Sequence, residues 1–381
     1  MSLRRFYGRI LKSGAGLRKL RVYFGQAGHK DDLISPEKEG ASLRKSFMVA
    51  AVLIFFLFFL PWLWGEEQGG ASLPEGGADS PSVPEGDSQL PEVPDAVHDS
   101  GTMLRVKIGE SVEEMDLETY LQGVVRAEMP ASFELEALKA QAIAARTYTL
   151  YKMEQGENAN HPEADICGDF ACCQAYQSEE DAARAWGMST AVYENKIDRA
   201  VAETDGQVIL YEGAPVLAVF HSSSAGATQN SGDVWQNSLP YLQSVDSPEE
   251  AEAVPNYYSK VSFTLTDFKE RFAAQYPTAN LSGSPSNWFT NIRQTETGAV
   301  LSLEVGGVAV SGTELRTLLG LRSTTFTISF TDTEVVFSVT GYGHGVGLSQ
   351  YGANVLAGEG WTCREILEHY YTGAGVGVYE G

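Results

Sequence analysis

Positive charge is scarce over most of this 381-residue chain. The chain has 27 Lys and Arg against 50 Asp and Glu, which gives a formal net charge of −23. Eleven of the Lys and Arg lie in residues 1–46, which carry a net charge of +7, so residues 47–381 carry −30. A nucleic-acid-binding protein needs a basic surface that neutralises phosphates. The composition therefore excludes nucleic acid as a partner, and it argues against tight electrostatic docking on anionic lipid.

Several motifs of nucleotide-binding and catalytic proteins are also absent. Four alternating glycines in residues 341–347 lack the third glycine of a dinucleotide fingerprint, and no Gly-Lys-Ser/Thr phosphate loop occurs. We therefore expect no organic cofactor. The chain has no His-Glu-x-x-His, so a zinc peptidase is excluded. Since Gly-x-Ser-x-Gly is absent as well, the serines at 222–224 are better read as hydroxyls lining a cleft than as a nucleophile elbow.

One long uncharged hydrophobic run is present, from Phe47 to Trp64. As a helix its length is about 27 Å, just enough to cross the hydrocarbon core of a bilayer. Arg44 and Lys45 precede it, and the positive-inside rule places residues 1–46 in the cytoplasm and the acidic remainder outside. A cleaved signal peptide is the alternative. The leader is long for one, and no small-x-small cleavage site follows closely, so we predict a retained single-pass anchor in the cell membrane.

Residues 65–101 contain five prolines, nine acidic residues and no Lys or Arg. Such a segment cannot bury a core, so it predicts a disordered linker. The chain is thus divided into a basic cytoplasmic segment (1–46), a transmembrane helix (47–64), the linker (65–101) and a folded region (102–381).

The folded region predicts an α+β fold with a mixed helix and β-rich part enclosing a cleft. Strand patterns cluster in its middle and helix patterns lie near both ends, which is typical of α+β rather than of alternating βαβ units. The predicted elements are a strand at 104–108, helices at 116–129 and from an N-cap at Ser132 to Met153, a hairpin turning at 212–215, strands at 299–305 and 325–330, a helix starting near Ser349, and a helix with the capping box Thr362-Cys363-Arg364-Glu365.

Glu128 interrupts the apolar stripe of the first helix. Leu117, Leu121 and Val124 step by four and three residues, and the next step on that face is Glu128. Pro130 ends the helix directly afterwards. A carboxyl group on a core-facing stripe has a raised pKa, which suits a general acid. The alternative is a glutamate at a frayed helix end that points to water.

The chain has four cysteines, and three of them follow His161 closely. His161, Cys167, Cys172 and Cys173 offer four ligands on one short segment, which predicts a structural Zn²⁺ with closed tetrahedral coordination. Neighbouring residues such as Cys172 and Cys173 are awkward ligands for one ion, so the fourth ligand stays open. Disulfides are the alternative, because the region is expected to face outside the cell.

Three sequence blocks together resemble the stage II sporulation protein D family. The blocks occur in the family's order and span roughly residues 103–373. They are Val124-Val125-Arg126-Ala127-Glu128-Met129-Pro130 with residues 136–148; Phe220-His221-Ser222-Ser223-Ser224-Ala225-Gly226 running to Trp235 and Leu239-Pro240-Tyr241-Leu242; and Gly341-Tyr342-Gly343-His344-Gly345-Val346-Gly347-Leu348-Ser349-Gln350-Tyr351-Gly352-Ala353.

The resemblance implies a membrane-anchored lytic transglycosylase that cuts peptidoglycan glycan strands during engulfment. It implies the β-1,4 bond between N-acetylmuramic acid and N-acetylglucosamine as substrate, denuded strands as the preferred form, and Glu128 as the single acid/base. It also implies a place in the mother-cell membrane facing the forespore, with a sporulation amidase and multi-pass membrane engulfment proteins as partners. Relatives described as amidase enhancers, which are binding modules, supply the alternative function.

The resemblance also implies site residues. Family members bind a metal in the segment of His161, Cys167, Cys172 and Cys173, which favours zinc over disulfides there. The residues expected to contact the sugars are Arg146, Gln141, Tyr148, Ser223, Ser224, Tyr342, His344 and Gln350.

Overall fold

The computed structural model describes residues 98–379 except residues 157 and 236. The predicted transmembrane helix at 47–64 and nearly all of the predicted linker lie outside the described residues. Within the described part, no helix combines the length and the apolar character that a membrane crossing requires. The described part is a mixed α+β domain, as predicted.

Helices and strands alternate irregularly along the domain. The helices are α1 (Leu117–Glu128), α2 (Leu135–Glu154), α3 (Glu179–Trp186), α4 (Thr190–Ala202), α5 (Ser231–Val234), α6 (Leu265–Gln275), α7 (Gly312–Leu319), α8 (Gln350–Gly358) and α9 (Cys363–Tyr370). The strands are β1 (Met103–Ile108), β2 (Ser111–Asp116), β3 (Ile166–Cys167), β4 (Gln207–Tyr211), β5 (Ala214–Pro215), β6 (Phe220–His221), β7 (Tyr258–Thr264), β8 (Phe289–Gln294), β9 (Val300–Val305), β10 (Val308–Ser311), β11 (Phe326–Phe330), β12 (Glu334–Thr340), β13 (Leu348–Ser349) and β14 (Gly375–Val378).

Helix α2 is the centre of the larger hydrophobic core. Helices α1, α4, α8 and α9 and strand β4 all pack against it. Its alanines at 137, 140, 142, 144 and 145 are fully buried, and their small side chains let so many neighbours approach. The predicted N-cap at Ser132 is wrong, because α2 begins at Leu135 with Glu134 in the N-cap position. The backbone N–H of Glu134 instead donates to Asn354 Oδ1 at 2.7 Å, which ties the start of α2 to α8.

Short parallel strand pairs bring distant blocks of the sequence together. β3 lies parallel to β1, which places Cys167 against the first sheet. β13 lies parallel to β6 and pairs Ser349 with His221. The predicted hairpin is confirmed: β4 and β5 are antiparallel, and Glu212 and Gly213 turn the chain with positive φ angles of 52° and 85°, as a two-residue hairpin turn requires.

Residues 258–340 form a second, β-rich lobe. Its sheets have the strand orders β11-β12-β7 and β10-β9-β8, and α6 and α7 pack on them. The core of this lobe is aromatic, with Phe268 stacked between Phe272 and Trp288 at ring-centroid distances of 5.8 and 5.9 Å. Burial of large aromatic rings supplies most of the stabilisation that such a small core can have.

Part of the predicted linker, at residues 99–101, belongs to the folded domain. Residues 99–101 form a 3₁₀ turn, and Asp99 is 2% exposed. The Asp99 carboxylate accepts a hydrogen bond of 2.6 Å from Arg146 Nε, inside the core around α2. Asp99 was one of the nine acidic residues assigned to the predicted linker. In the structure its carboxylate is instead the counter-ion that the buried guanidinium of Arg146 requires.

Candidate functional site

Glu128 is the last residue of α1 and is only partly exposed. Its Oε1 accepts a hydrogen bond of 2.8 Å from the backbone N–H of Ala175, and its Oε2 accepts one of 3.2 Å from Gln350 Nε2. Burial raises the pKa of this carboxyl group, and the two hydrogen bonds offset only part of the rise. The alternative of a freely solvated glutamate at a frayed end is therefore wrong. Glu128 combines a raised pKa with a fixed orientation.

Gln350 and Gln141, which the resemblance implies as sugar-contacting residues, lie near Glu128 in the structure. Gln350 is the first residue of α8, and its Nε2 lies 3.2 Å from Glu128 Oε2 and 3.4 Å from Gln141 Oε1. Gln141 projects from α2 and is fully buried, and its Nε2 has no hydrogen-bond partner among the described residues. The two amides thus form a polar chain from the core of the domain to the carboxyl group of Glu128.

Tyr342, His344 and the serine segment at 222–224 lie together. Tyr342 and Ser223 exchange both backbone hydrogen bonds, at 2.9 and 3.0 Å. The Tyr342 ring is 44% exposed, and the guanidinium carbon of Arg322 lies 3.8 Å from its centroid. The half-buried ring of His344 lies between His221 and Trp235, with centroid distances of 5.6 and 5.3 Å. Tyr342 is therefore the accessible aromatic surface of this group.

The alternating glycines allow the loop at 341–347 to pack closely against neighbouring backbone. Gly341, Gly343 and Gly347 have φ angles of 76°, 118° and 71°, which strongly favour glycine. A Cβ atom at Gly347 would lie 2.2 Å from the carbonyl oxygen of Val219, and one at Gly343 would lie 2.6 Å from the Cβ of His221. The glycines therefore allow this loop to lie close against the segment around β6.

His221 is neutral and anchors Ser224. His221 Nδ1 lies 3.2 Å from the carbonyl oxygen of Val346, which can only accept, so Nδ1 carries the proton. The bare Nε2 then accepts from Ser224 Oγ at 2.7 Å. Burial lowers the pKa of His221 to about 4. With Ser224 only 3% exposed, its hydroxyl is engaged inside the protein rather than presented to a ligand. Ser223 is equally buried, and its Oγ has no partner in the described part.

Glu249 is a site residue that the sequence did not reveal. It is 8% exposed, and its Oε1 accepts from Ser349 Oγ at 2.7 Å and from the backbone N–H of Ser224. Ser349 is also the N-cap of α8, whose first residue is Gln350. Glu249 therefore holds the serine segment against the start of the helix that positions Glu128. In the sequence it belongs to a Pro-Glu-Glu run that has the composition of a solvated loop.

The structure predicts a stabilising role for Glu249. Glu249→Ala leaves the N–H of Ser224 and the hydroxyl of Ser349 buried without their acceptor, and we expect a loss of about 2–4 kcal/mol in the free energy of unfolding. Glu249→Gln keeps one oxygen that accepts both bonds, so it should lose much less. The matched control is Glu250→Ala, an exposed neighbour, with an expected change within about 0.5 kcal/mol. Urea unfolding measures all three, and equal midpoints for Glu249→Ala and Glu250→Ala would refute the role.

Arg146 and Tyr148 do not line the region around Glu128, contrary to the sequence prediction. Arg146 is fully buried, and its guanidinium is occupied by Asp99 and by the carbonyl oxygen of Gln207 at 3.1 Å. Tyr148 is 8% exposed, and its pKa is raised by burial and by the nearby thiol of Cys173. Since α2 is buried on every side, residues of one sequence motif on this helix face different neighbours. Gln141 faces Glu128, whereas Arg146 and Tyr148 do not.

His161, Cys167, Cys172 and Cys173 converge on one point. Their ligand atoms all lie within 4.8 Å of one another, and the four cysteines of the chain are free rather than paired in disulfides. His161 Nε2 lies 3.3 Å from Cys173 Sγ, and the sulfurs of Cys172 and Cys173 lie 3.9 Å apart. With Zn–S bonds of about 2.3 Å and Zn–N bonds of about 2.0 Å, the edges of a tetrahedral site are about 3.5–3.8 Å. Adjacent Cys172 and Cys173 can therefore both contribute.

The imidazole of His161 is oriented to bind a metal ion through Nε2. Its Nδ1 donates to the carbonyl oxygen of Ala164 at 3.1 Å, which leaves Nε2 free to bind an ion. This arrangement of the outer ring nitrogen is usual for metal-binding histidines. His161 is 2% exposed and Cys167 is 4% exposed, whereas Cys172 and Cys173 are partly exposed, so one side of the group is shielded from solvent. The donors and their burial fit a metal such as zinc in a closed site.

The cysteine segment leads directly to Glu128. Ala175, which donates to Glu128, follows Cys173 by two residues. Between them Gln174 is buried and donates to Thr149 Oγ1 at 3.1 Å. The Tyr176 ring then lies so close over Gly123 of α1 that a Cβ atom there would come within 2.1 Å of it. The metal-type cluster thus fixes the loop that orients the carboxyl group.

Comparisons with known proteins agree with this arrangement. The family model described as Stage II sporulation protein matches residues 107–211, which contain Glu128 and the cysteine cluster. The chain is similar to Stage II sporulation protein D of Bacillus subtilis (strain 168), with 36% identity over 264 residues that cover 69% of this chain and 75% of that protein. It is 35% identical over 266 residues to Stage II sporulation protein D of Bacillus amyloliquefaciens, covering 70% and 75%. An Amidase enhancer of Bacillus subtilis (strain 168) is 28% identical over 315 residues, covering 68% of this chain and 40% of that protein.

Proposed function

The chain belongs to the stage II sporulation protein D family, and we propose that its folded domain is a lytic transglycosylase of peptidoglycan glycan strands. The observation that carries the proposal is Glu128, a partly buried carboxyl group with a raised pKa, held by Ala175 and Gln350. General acids have such a pKa and such a fixed geometry.

In the proposed reaction, protonated Glu128 gives its proton to the oxygen of the β-1,4 bond while the C1–O bond of N-acetylmuramic acid breaks. The 2-acetamido oxygen of the same sugar bonds to C1 and takes up the positive charge. Glu128, now a carboxylate, removes the proton from the C6 hydroxyl, and O6 displaces the acetamido oxygen from C1. The products are a 1,6-anhydro end and a free C4 hydroxyl on N-acetylglucosamine, and Glu128 is protonated again without consuming water.

One carboxyl group suffices for this reaction, whereas ordinary glycosidases use two. Glu249 is the other buried carboxylate near α8, but it is 8% exposed and already accepts from Ser224 and Ser349. Both contacts are on Oε1, and the burial of the side chain argues against contact with a sugar. They favour the single-carboxylate route over hydrolysis with a separate base.

Gln350 and Gln141 orient the acid, and Tyr342 offers its exposed ring to a sugar face. Tyr342 carries the Arg322 guanidinium on its ring, which holds the side chain in place. Carbohydrate rings stack on such aromatic surfaces through their C–H faces. The His344 ring packs against His221 and Trp235 next to Tyr342.

His161, Cys167, Cys172 and Cys173 would hold one Zn²⁺ as a structural ion, because four protein ligands leave no open position for substrate or water. When bound, the ion supplies a cross-link within the loop. The role of this chain's own residues is to carry Ala175 into hydrogen-bonding distance of Glu128.

The sequence supports a location for the proposed enzyme. The run at 47–64 would anchor it in a membrane, with residues 1–46 in the cytoplasm and the domain outside. The family resemblance implies that this is the mother-cell membrane facing the forespore. There a sporulation amidase and multi-pass engulfment proteins would be its partners. Protease added to intact protoplasts should then digest the domain; its protection would contradict this topology.

Purified full-length protein in detergent tests the chemistry. Incubated with denuded glycan strands in ¹⁸O-labelled water, it should release fragments with 1,6-anhydro ends and no heavy oxygen by mass spectrometry. Labelled reducing ends would instead identify a hydrolase. The amidase-enhancer relative supports a second candidate function, a binding module. Absence of glycan products together with faster turnover of a purified peptidoglycan amidase would favour it.

We expect denuded strands to be cut faster than intact sacculi. Residues 102–381 carry a net charge of −21, and the stem peptides on muramic acid carry carboxylates as well as bulk. Like charges and crowding near Glu128 therefore disfavour peptide-bearing strands. Release of soluble anhydro products from both substrates measures the difference. Equal rates would remove this preference while leaving the role of Glu128 untouched.

A further inference from the structure

A groove of about 730 Å³ crosses the β-rich lobe, apart from the residues around Glu128. Its walls come from β7, β11 and β12 and from the turn between β8 and β9. Residues that line it include Tyr258, Lys260, Gln294, Thr327, Ser338 and Thr340. None of these residues has a part in the proposed reaction.

The groove continues toward Tyr342 and His344. Thr325 and Thr340 line both the groove and a small cavity bounded by Ser224 and His344. Thr340 also pairs with Tyr258 across β12 and β7, and Tyr342 follows Thr340 by two residues. A polymer that lies across Tyr342 can therefore extend back past Thr340 and Ser338, against the chain direction of β12, into the groove.

The lining has the chemistry of a carbohydrate site. Hydroxyl groups and one amide supply donors and acceptors, and Tyr258 presents an aromatic ring that is 70% exposed. The lining includes Lys260 but no Asp or Glu, in a chain of net charge −23. This local charge suits a sugar that carries a carboxylate, such as the lactyl group of muramic acid.

We propose that this groove is a second, distal binding site for the same glycan strand. The proposal rests on the proposed function, since it needs a polymeric amino sugar at Glu128. A strand long enough to reach both sites is held at two places, so its second contact is intramolecular and its affinity rises with length. The β-rich lobe would thus select long strands and keep a cut strand attached.

The test measures binding rather than turnover, in full-length protein that carries Glu128→Gln so that no substrate is consumed. The probes are long denuded glycan strands, peptide-bearing strands of similar length and disaccharide fragments. The double change Tyr258→Ala with Lys260→Ala removes a ring contact and a charge, and we expect roughly tenfold weaker binding of the long strands. Binding of the fragments should stay unchanged, because they do not span both sites. The control is Ile292→Ala, a residue of the same lobe that is 46% exposed and outside the groove lining.

Unchanged affinity for long strands in the double variant, or an equal loss for fragments and strands, would overturn the distal site. A loss confined to peptide-bearing strands would also overturn it and would assign the groove to stem peptides. Failure of the proposed function is recognised separately. In that case the protein with Glu128 intact releases no anhydro products, while the length dependence of binding and its loss in the double variant are still measured in the Glu128→Gln protein.

Discussion

Glu128→Gln should lower the turnover of denuded glycan strands by about 10²–10⁴. Gln keeps the shape of the side chain and an oxygen that accepts from Ala175, but it has no proton to transfer. The matched control is Glu118→Gln, in the first turn of the same helix, which should retain its turnover. Rates of anhydro-product release measure both. A Glu128→Gln protein that cuts strands nearly as fast as its parent would show that the acid lies elsewhere.

The pH dependence of the same variant gives a second check. Burial raises the pKa of Glu128, so the acid form needed for the first step persists to higher pH, and kcat/KM should fall as pH rises through that pKa. Whatever rate the Gln variant retains should lack this fall. An identical alkaline limb in the parent and the variant would assign that limb to another group.

The raised pKa of Glu128 should lower the folding stability of the parent protein at neutral pH, where the carboxyl group is ionised. Because the folded-state pKa of Glu128 lies above the unfolded value, the folded state binds more protons between the two values. Its stability contribution is complete below the unfolded pKa and is lost as pH rises through the folded pKa. At neutral pH Glu128→Gln escapes this loss, so its unfolding midpoint in urea should equal or exceed that of the parent. Retained stability with lost turnover separates catalysis from folding.

Loss of a metal ligand should strongly lower both the melting temperature and the turnover. We expect about one Zn²⁺ per chain in protein purified without chelator. Cys167→Ser should lower the melting temperature by roughly 10 °C, since a structural zinc contributes several kcal/mol and each kcal/mol is worth about 2–4 °C in a domain of this size. Turnover should fall as well, because Ala175 follows Cys173 by two residues and donates to Glu128.

Cys363→Ser is the matched control for the metal site. Cys363 is a partly buried free cysteine outside the cluster, so the change should leave the zinc content at its parent value. Metal analysis and thermal unfolding are made on both variants. Protein with neither bound metal nor free thiols would contradict the zinc site and favour disulfides.

The local elements of the site were predictable because short-range physics determines them. The apolar steps of α1 and the stop at Pro130 place Glu128 on the core-facing side at a helix end. The structure confirms this with α1 ending at Glu128. The spacing of His161 and the three cysteines is equally local, and their ligand atoms meet as predicted. The capping box at Thr362 and Glu365 is also a local pattern, and the structure confirms it.

Orientation around α2 could not be predicted from its sequence. A helix that is buried on all sides has no polar stripe to mark which face a residue occupies. Gln141 lies near Glu128 through Gln350, whereas Arg146 is turned to Asp99 and is fully buried. Only the positions of the neighbouring helices decide between these outcomes.

Glu249 shows most clearly the difference between what local sequence patterns predict and what only the tertiary structure decides. Periodicity, helix stops and ligand spacing act over a few residues, and they were sufficient for Glu128 and for the metal-type cluster. The partners of Glu249 are Ser224, 25 residues before it, and Ser349, 100 residues after it. A contact of that separation depends on β13 pairing with β6, which no local pattern around Glu249 encodes. Chain-distant hydrogen bonds to buried groups are decided by the packing of whole elements, so the surroundings of the acid emerged only in the tertiary structure.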